Sequence, residues 1–157
     1  MLDKPSFDLP SAHQFFSADC FNRVWELLDK VDRRSEDDEE MVNLCHASIW
    51  HWMQRADCTE QKLGIGYWQA SRAYSVIGRI DMARCFANKC LTASQSSGPF
   101  YLGYAYEALA RCEKAAQEES LSKEYLQKAH EFAALITDEA EKKMLLDDLQ
   151  SIGWVDR

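Results

Sequence analysis

Apolar residues along this chain recur at spacings of three and four, and no segment alternates apolar and polar residues for the length of a strand. The pattern predicts an all-α protein of about seven helices. Its densest stretch runs from Tyr67 to Leu91. There Tyr67, Ala70, Ala73, Tyr74 and Ile77 form one stripe, Met82, Ala83, Phe86, Ala87, Cys90 and Leu91 form a second, and Gly78-Arg79-Ile80-Asp81 separates them. This is the pattern of a helical hairpin. A related helix follows 32 residues later, where YAYEALAR at Tyr104 to Arg111 repeats the beats of RAYSVIGR at Arg72 to Arg79. The spacing predicts stacked antiparallel hairpins.

The same reading divides the rest of the chain. Pro5 and Pro10 predict an extended segment over 1–10, because proline lacks the amide hydrogen a helix needs. A first helix follows, with Phe15, Phe16, Phe21, Val24, Trp25, Leu27 and Leu28 as a broad apolar, core-forming face. Ser35 is placed to cap the second helix, with Asp38 completing a capping box and the acids of Glu36 to Glu40 favouring the positive end of the helix dipole. A cation site is the functional alternative for those acids, but they lack the ligand spacing and central glycine of a calcium loop. From Met41 to Arg55 this helix is apolar nearly all round, so it is expected to pack between neighbours.

Thr59 is the expected cap of the third helix and Asp81 of the fourth, with Gly78 between them as a stop. Gly64 and Gly66 mark either a close helix crossing or a frayed first turn. TASQSSGP, from Thr92 to Pro99, is a polar connection whose proline suits a first helical position. The fifth helix runs from Phe100 to Gln117 and the sixth ends near Ile136. Asp138 and Glu141 open the last helix, Gly153 closes it, and Trp154 is placed to fold back on its final turn. Residues 1–157 read as one domain, with 138–153 as a capping helix.

Charge and cysteine content narrow the classes. Net charge is -8, an unfavourable balance for neutralising phosphates, so no nucleic-acid partner is expected. Residues 61–111 run against the trend, with six basic and two acidic side chains. No apolar run approaches the ~20 residues of a membrane span, and MLDKPSFDLP has no signal-peptide core, so no membrane partner is expected and the location expected is cytoplasmic. The six cysteines sit mostly in apolar helical patterns without a C-x-x-C pair and are read as reduced thiols. His46 and His51 invite a metal reading, yet five residues put them about 140° apart around a helix, and no Glu-x-x-His occurs in the chain. His130 has no second ligand nearby. No cofactor or catalytic signature is present.

The hairpins over 64–136 resemble tetratricopeptide repeats. Ala73, Tyr74 and Gly78 match the first helix of that unit and Ala83 the second; in a second unit Ala105 and Tyr106 match, Ala110 replaces the glycine, and Ala129 follows Tyr125 after a longer turn. The likeness departs at Ala87, where an aromatic is usual, and lacks both the Trp-x-x-Leu-Gly opening and the closing proline. The resemblance implies a right-handed α-α superhelix whose first helices line a peptide-holding groove. Carried over by face, it places Trp68, Arg72 and Ser75 in that groove from one unit, and Phe100, Tyr104 and Glu107 from the next.

Two functions compete on this reading. One is a protein-interaction module, not an enzyme, that binds an acidic peptide segment or a second copy of itself, with Arg72 offering its guanidinium to a carboxylate. The other is a helical-bundle metal protein or enzyme using His46, His51 or a cysteine; a purely structural subunit is a third possibility. Against the groove stand two plain alternatives: that neighbouring helices cover its aromatics, or that Arg72 and Arg79 pair with the acidic start of the second helix.

Overall fold

Thr59, Gly78, Gly98-Pro99, Asp138 and Gly153 each stand at or beside the end of a helix. The computed structural model describes residues 6–153, and among these the elements are α1 (Leu9–Leu28), α2 (Ser35–Met53), α3 (Glu60–Val76), α4 (Ile80–Ser94), α5 (Pro99–Ala115), α6 (Glu119–Ala134) and α7 (Glu139–Ile152). The fold is all-α, with seven helices and no strand among the described residues. Thr59 caps α3 by accepting from the Lys62 amide at 3.3 Å, and Asp138 caps α7 by accepting from the amides of Ala140 and Glu141 at 2.9 Å. Gly78 ends the α3 segment in the left-handed region, φ 74°, where the Arg79 amide reaches back to the Tyr74 carbonyl at 2.9 Å.

Three boundary expectations shift. The segment over 1–10 is not extended throughout, because α1 already begins at Leu9. Pro10 lies in its first turn, where amide hydrogens have no intrahelical acceptor, and the Asp8 carboxylate caps the Ser11 amide at 2.9 Å. Ser35 lies inside α2 rather than capping it. The helix starts after Arg34, so Asp37, not Asp38, occupies the third position and accepts from the Arg34 amide at 2.8 Å. Likewise α4 starts after Arg79, and Asp81 sits in its first turn instead of at its cap. Trp154 lies outside the described residues.

Helices adjacent in sequence form three hairpins, α1/α2, α3/α4 and α5/α6. The first was hidden in the sequence, because α2 is apolar on several sides and shows no single stripe. Packing then repeats along the chain: α3 lies on α1 and α2, α5 on α3 and α4, and α7 on α5 and α6. One layer thus contains α1, α3, α5 and α7, and the other α2, α4 and α6.

Small residues set the spacing between these helices. Ala70, Ala73, Ala83 and Ala87 are fully buried where α3 meets α4. Of the two glycines of α3, Gly66 marks a tight crossing, since a Cβ there would lie 3.0 Å from Ile49 of α2, whereas one on Gly64 would make an ordinary 3.5 Å contact with Ala93 of α4. The 32-residue echo is carried in the packing as well. Tyr74 stacks on Phe86 with ring centroids 5.6 Å apart, and Tyr106 stacks on Phe132 at the same distance. Ser71 donates to the Ala83 carbonyl at 3.0 Å in one hairpin, and Ser122 to the Ala110 carbonyl at 2.9 Å in the next.

Candidate binding site

Side chains four residues apart on a helix share a face. The four helices of the first layer each turn one such pair toward the same hollow: Phe21 and Trp25 from α1, Trp68 and Arg72 from α3, Phe100 and Tyr104 from α5, Met144 and Asp148 from α7. With Gly64, Ile65, Tyr101 and the end of α4 they wall a pocket of about 440 Å³. Its rings form an unbroken ribbon. Phe21 meets Trp25 at 6.3 Å, Trp25 meets Trp68 at 5.5 Å, Trp68 meets Tyr104 at 5.1 Å, and Tyr104 meets Phe100 at 5.0 Å between centroids.

The polar groups of this wall are few and placed by neighbours. The Arg72 guanidinium lies over Trp25 and Trp68, 5.3 and 5.7 Å from their centroids, and its Nη1 donates to Asp148 Oδ1 at 3.0 Å. The other carboxylate oxygen accepts from the Tyr104 hydroxyl at 2.8 Å. Burial, and then the Asp148 charge, push the Tyr104 phenol well above its ordinary value. Burial pushes the Cys90 thiol up to about 12, which keeps it protonated. A smaller hollow of about 160 Å³ adjoins the pocket, sharing Phe21 and Ile65 with it and bordered by Trp52 and Lys62.

Four of the six residues expected in the groove therefore meet there: Trp68, Arg72, Phe100 and Tyr104. Two do not. Ser75 is buried against α5, where its hydroxyl donates to the Ser71 carbonyl at 2.9 Å and lies 3.5 Å from Cys112 Sγ. Glu107 is fully buried behind the pocket wall, accepting from Trp68 Nε1 at 2.6 Å and from Arg111 Nε at 2.7 Å. Phe21, Trp25, Met144 and Asp148 were missed as site residues. The signal for them was present, since each pair repeats the four-residue step of Trp68 and Arg72.

The role foreseen for Arg72 also changes. Its guanidinium is paired within the chain, with α7 and not with the acidic start of α2. Those acids are met locally instead, Asp37 by Lys30, Asp38 by Arg33 and Glu40 by Arg23. Most of the basic excess over 61–111 is spent in the same way: Arg84 makes a two-pronged pair with Glu113, Arg111 pairs with Glu107, and Lys62 with Asp57.

His46 and His51 point to different neighbours. His46 Nε2 meets the Tyr74 hydroxyl at 2.8 Å, and His51 Nδ1 meets His13 Nδ1 at 2.8 Å. No cluster of three or more His, Cys, Asp or Glu side chains that could hold a metal ion occurs among the described residues. The six cysteines are unpaired, with Cys85 exposed and Cys20, Cys45, Cys90 and Cys112 buried. No helix among the described residues is long and apolar enough to cross a membrane. No family model matches the chain, and neither the curated proteins nor the solved structures contain a significant match to it.

Proposed function

We propose that this chain is a protein-interaction module that holds a peptide segment along α1 and α3, seating one aromatic or large aliphatic side chain in the ring-lined pocket. The observation that carries the reading is the convergence of four helices, each through a pair of residues four apart, on one apolar hollow with few polar groups. The adjoining hollow favours a segment over a compact small molecule. It extends the groove past Phe21 and Ile65, giving room for a further residue of the same bound chain. The likeness of the hairpins to tetratricopeptide repeats, whose first helices line a peptide groove, supports the same assignment.

The charge expected of the partner is revised. Arg72 and Asp148 neutralise one another at the pocket wall, so an acidic residue gains no net attraction there. What the wall still offers is donor capacity, because among the described residues Arg72 donates a hydrogen bond only through Nη1, to Asp148. A main-chain carbonyl beside the seated side chain takes up that capacity without adding charge. The preferred segment is thus neutral at this point and apolar.

Selection from a random peptide library tests the proposal. Enriched peptides are expected to share an aromatic or large aliphatic residue and to lose at least about ten-fold in affinity to Trp25→Ala, the scale of an interface hot spot, while the melting temperature stays close to wild type. Failure to enrich any peptide, or binding that is indifferent to both Trp25→Ala and Phe100→Ala, would overturn it.

A further inference from the structure

His51 does not share a neighbour with His46 on its own helix, but it has a close mate on α1. His13 Nδ1 stands 2.8 Å from His51 Nδ1, with the ring centroids 5.0 Å apart. The pairing is notable for what it omits. Among the described residues each ring makes its one hydrogen bond to the other, and no carbonyl, hydroxyl or carboxylate engages either Nε2. His46 shows the contrast, since its Nε2 meets the Tyr74 hydroxyl. A hydrogen bond between two imidazoles needs one nitrogen to donate and the other to accept. With both protons on the outward Nε2 atoms instead, two lone pairs face the same gap.

The spacing suits two imidazoles that share an ion. With metal–nitrogen bonds of about 2.0 Å, the ring centroids lie about 4.5 Å apart around a right angle and about 5.1 Å apart around a tetrahedral one. The observed 5.0 Å falls between them. A tetrahedral angle also sets the nitrogens about 3.3 Å apart, roughly half an ångström beyond their hydrogen-bonded contact, which rotation of two half-buried rings supplies. The helices that carry them are already fixed at this level. The buried Ser48 hydroxyl donates to the Ser17 carbonyl at 2.7 Å, and Arg55 Nη1 donates to Ser17 Oγ at 2.8 Å, its charge balanced by Asp57. Trp50 packs edge-on against both imidazoles, at 5.3 and 4.9 Å, and Phe16 lies 5.4 Å from His51. Rings so confined lose little freedom when an ion gathers them. Burial, and then the neighbouring His13, hold the His51 pKa below its usual value and favour the neutral ring, the form that binds metal.

We propose that His13 and His51 hold a divalent transition-metal ion of the imidazole-binding class, typified by Zn²⁺, between their Nδ1 atoms. Water completes its shell, because both side chains are only partly buried and, among the described residues, no third His, Cys, Asp or Glu is placed to join them. Hard ions such as Mg²⁺ and Ca²⁺ are disfavoured, since they require oxygen ligands. Two protein ligands with open positions make an exchangeable ion and not a permanent staple. The ion clamps α1 to α2 in the first hairpin. Neither histidine lines the peptide groove, so the site is separate from it.

Isothermal titration of the full, chelator-stripped chain with Zn²⁺ tests this. One ion per chain is expected, with a melting temperature raised by the ion, since binding to the folded state stabilises it. His13→Ala and His51→Ala should each weaken binding at least about ten-fold and remove that rise, because either leaves a single imidazole. Should either variant fail to fold, the imidazole proton resonances of the wild type give the answer instead. Of the four histidines, His13 and His51 are expected to shift together on titration while His46 and His130 stay in place. No stoichiometric binding overturns the proposal. So does binding unaffected by both substitutions, or a shift of His46 or His130 in place of the pair, either of which marks an adventitious ion only.

Discussion

Two carboxylates on the first layer are held by the same kinds of group and put to different use. Glu107 accepts from an arginine, Arg111, and from an aromatic donor, Trp68; Asp148 accepts from Arg72 and from Tyr104. Glu107 is fully buried, and its partner Arg111 reaches on to the Asp148 carbonyl and to Ser151, tying α5 to α7. Asp148 and Arg72 instead stand at the wall of a hollow, with side chains 25% and 21% exposed. The difference is water. A closed pair cannot be replaced by solvent when broken, whereas an open pair has both solvent and ligand as substitutes.

The largest effect is therefore expected at the closed pair. Glu107→Ala leaves Arg111 without its carboxylate and the Trp68 indole N–H without an acceptor, and should cost about 3–5 kcal/mol, as when one partner of a buried ion pair is removed. Urea unfolding measures it. A loss below about 1 kcal/mol would show that water reaches Glu107 and that the contrast between the two carboxylates is false.

Asp148→Ala comes next, at about 1–2 kcal/mol, because Arg72 and Tyr104 retain access to water in the hollow. A double-mutant cycle with Arg72→Ala isolates the pair itself, and its coupling energy should be near 1 kcal/mol. Coupling as large as the whole Glu107→Ala effect would place both carboxylates in one closed class.

This contrast marks the boundary of what the sequence made legible. Local chemistry was readable: Thr59, Gly78, Gly98-Pro99 and Asp138 act where they stand, and the helices follow from them. The cap of α2 slipped by one residue, from Ser35 to Arg34, and that of α4 by two, from Asp81 to Arg79. Partners distant in sequence were not readable, since Trp68 lies 39 residues from Glu107, and Arg72 lies 76 from Asp148. The two misplaced groove residues share a cause. Ser75 follows Arg72, and Glu107 follows Tyr104, by three positions, a step that turns a side chain about 60° back around the helix toward the packed side. The step of four, by contrast, kept to the open face on all four helices.

Gly103 offers a smaller test of how α7 is held. A Cβ there would fall 2.4 Å from Cδ2 of Leu145, a fully buried side chain of α7 that must shift to admit it. On Gly64 the closest atoms lie at 3.5 Å, an ordinary contact. Gly64→Ala should be neutral or stabilising by up to about 1 kcal/mol through helix propensity. Gly103→Ala should lose about 1 kcal/mol net, overpacking outweighing the same propensity gain. Thermal melts of the pair decide it, and equal shifts would mean that α7 accommodates the methyl group freely.

The smallest effect separates the open site by its proton. The fold holds Tyr104 as a neutral phenol, chiefly through burial and then through the Asp148 charge, so its folded pKa lies above the unfolded value of about 10. Its contribution is fully present below that pH and declines as pH rises from there toward the folded value, because the unfolded chain releases the proton first. Tyr67 and Tyr74 are also raised by burial, so ultraviolet titration of the six tyrosines should show a late group of phenols. Tyr104→Phe is expected to remove the latest step and to flatten the fall of melting temperature above about pH 10. Asp148→Asn, which removes the second cause and leaves the first, should move that step to lower pH without abolishing its lag behind exposed phenols. If instead Asp148→Asn leaves the step in place, the carboxylate exerts no field on the pocket wall, and Asp148 belongs with the packing of α7 and not with the site.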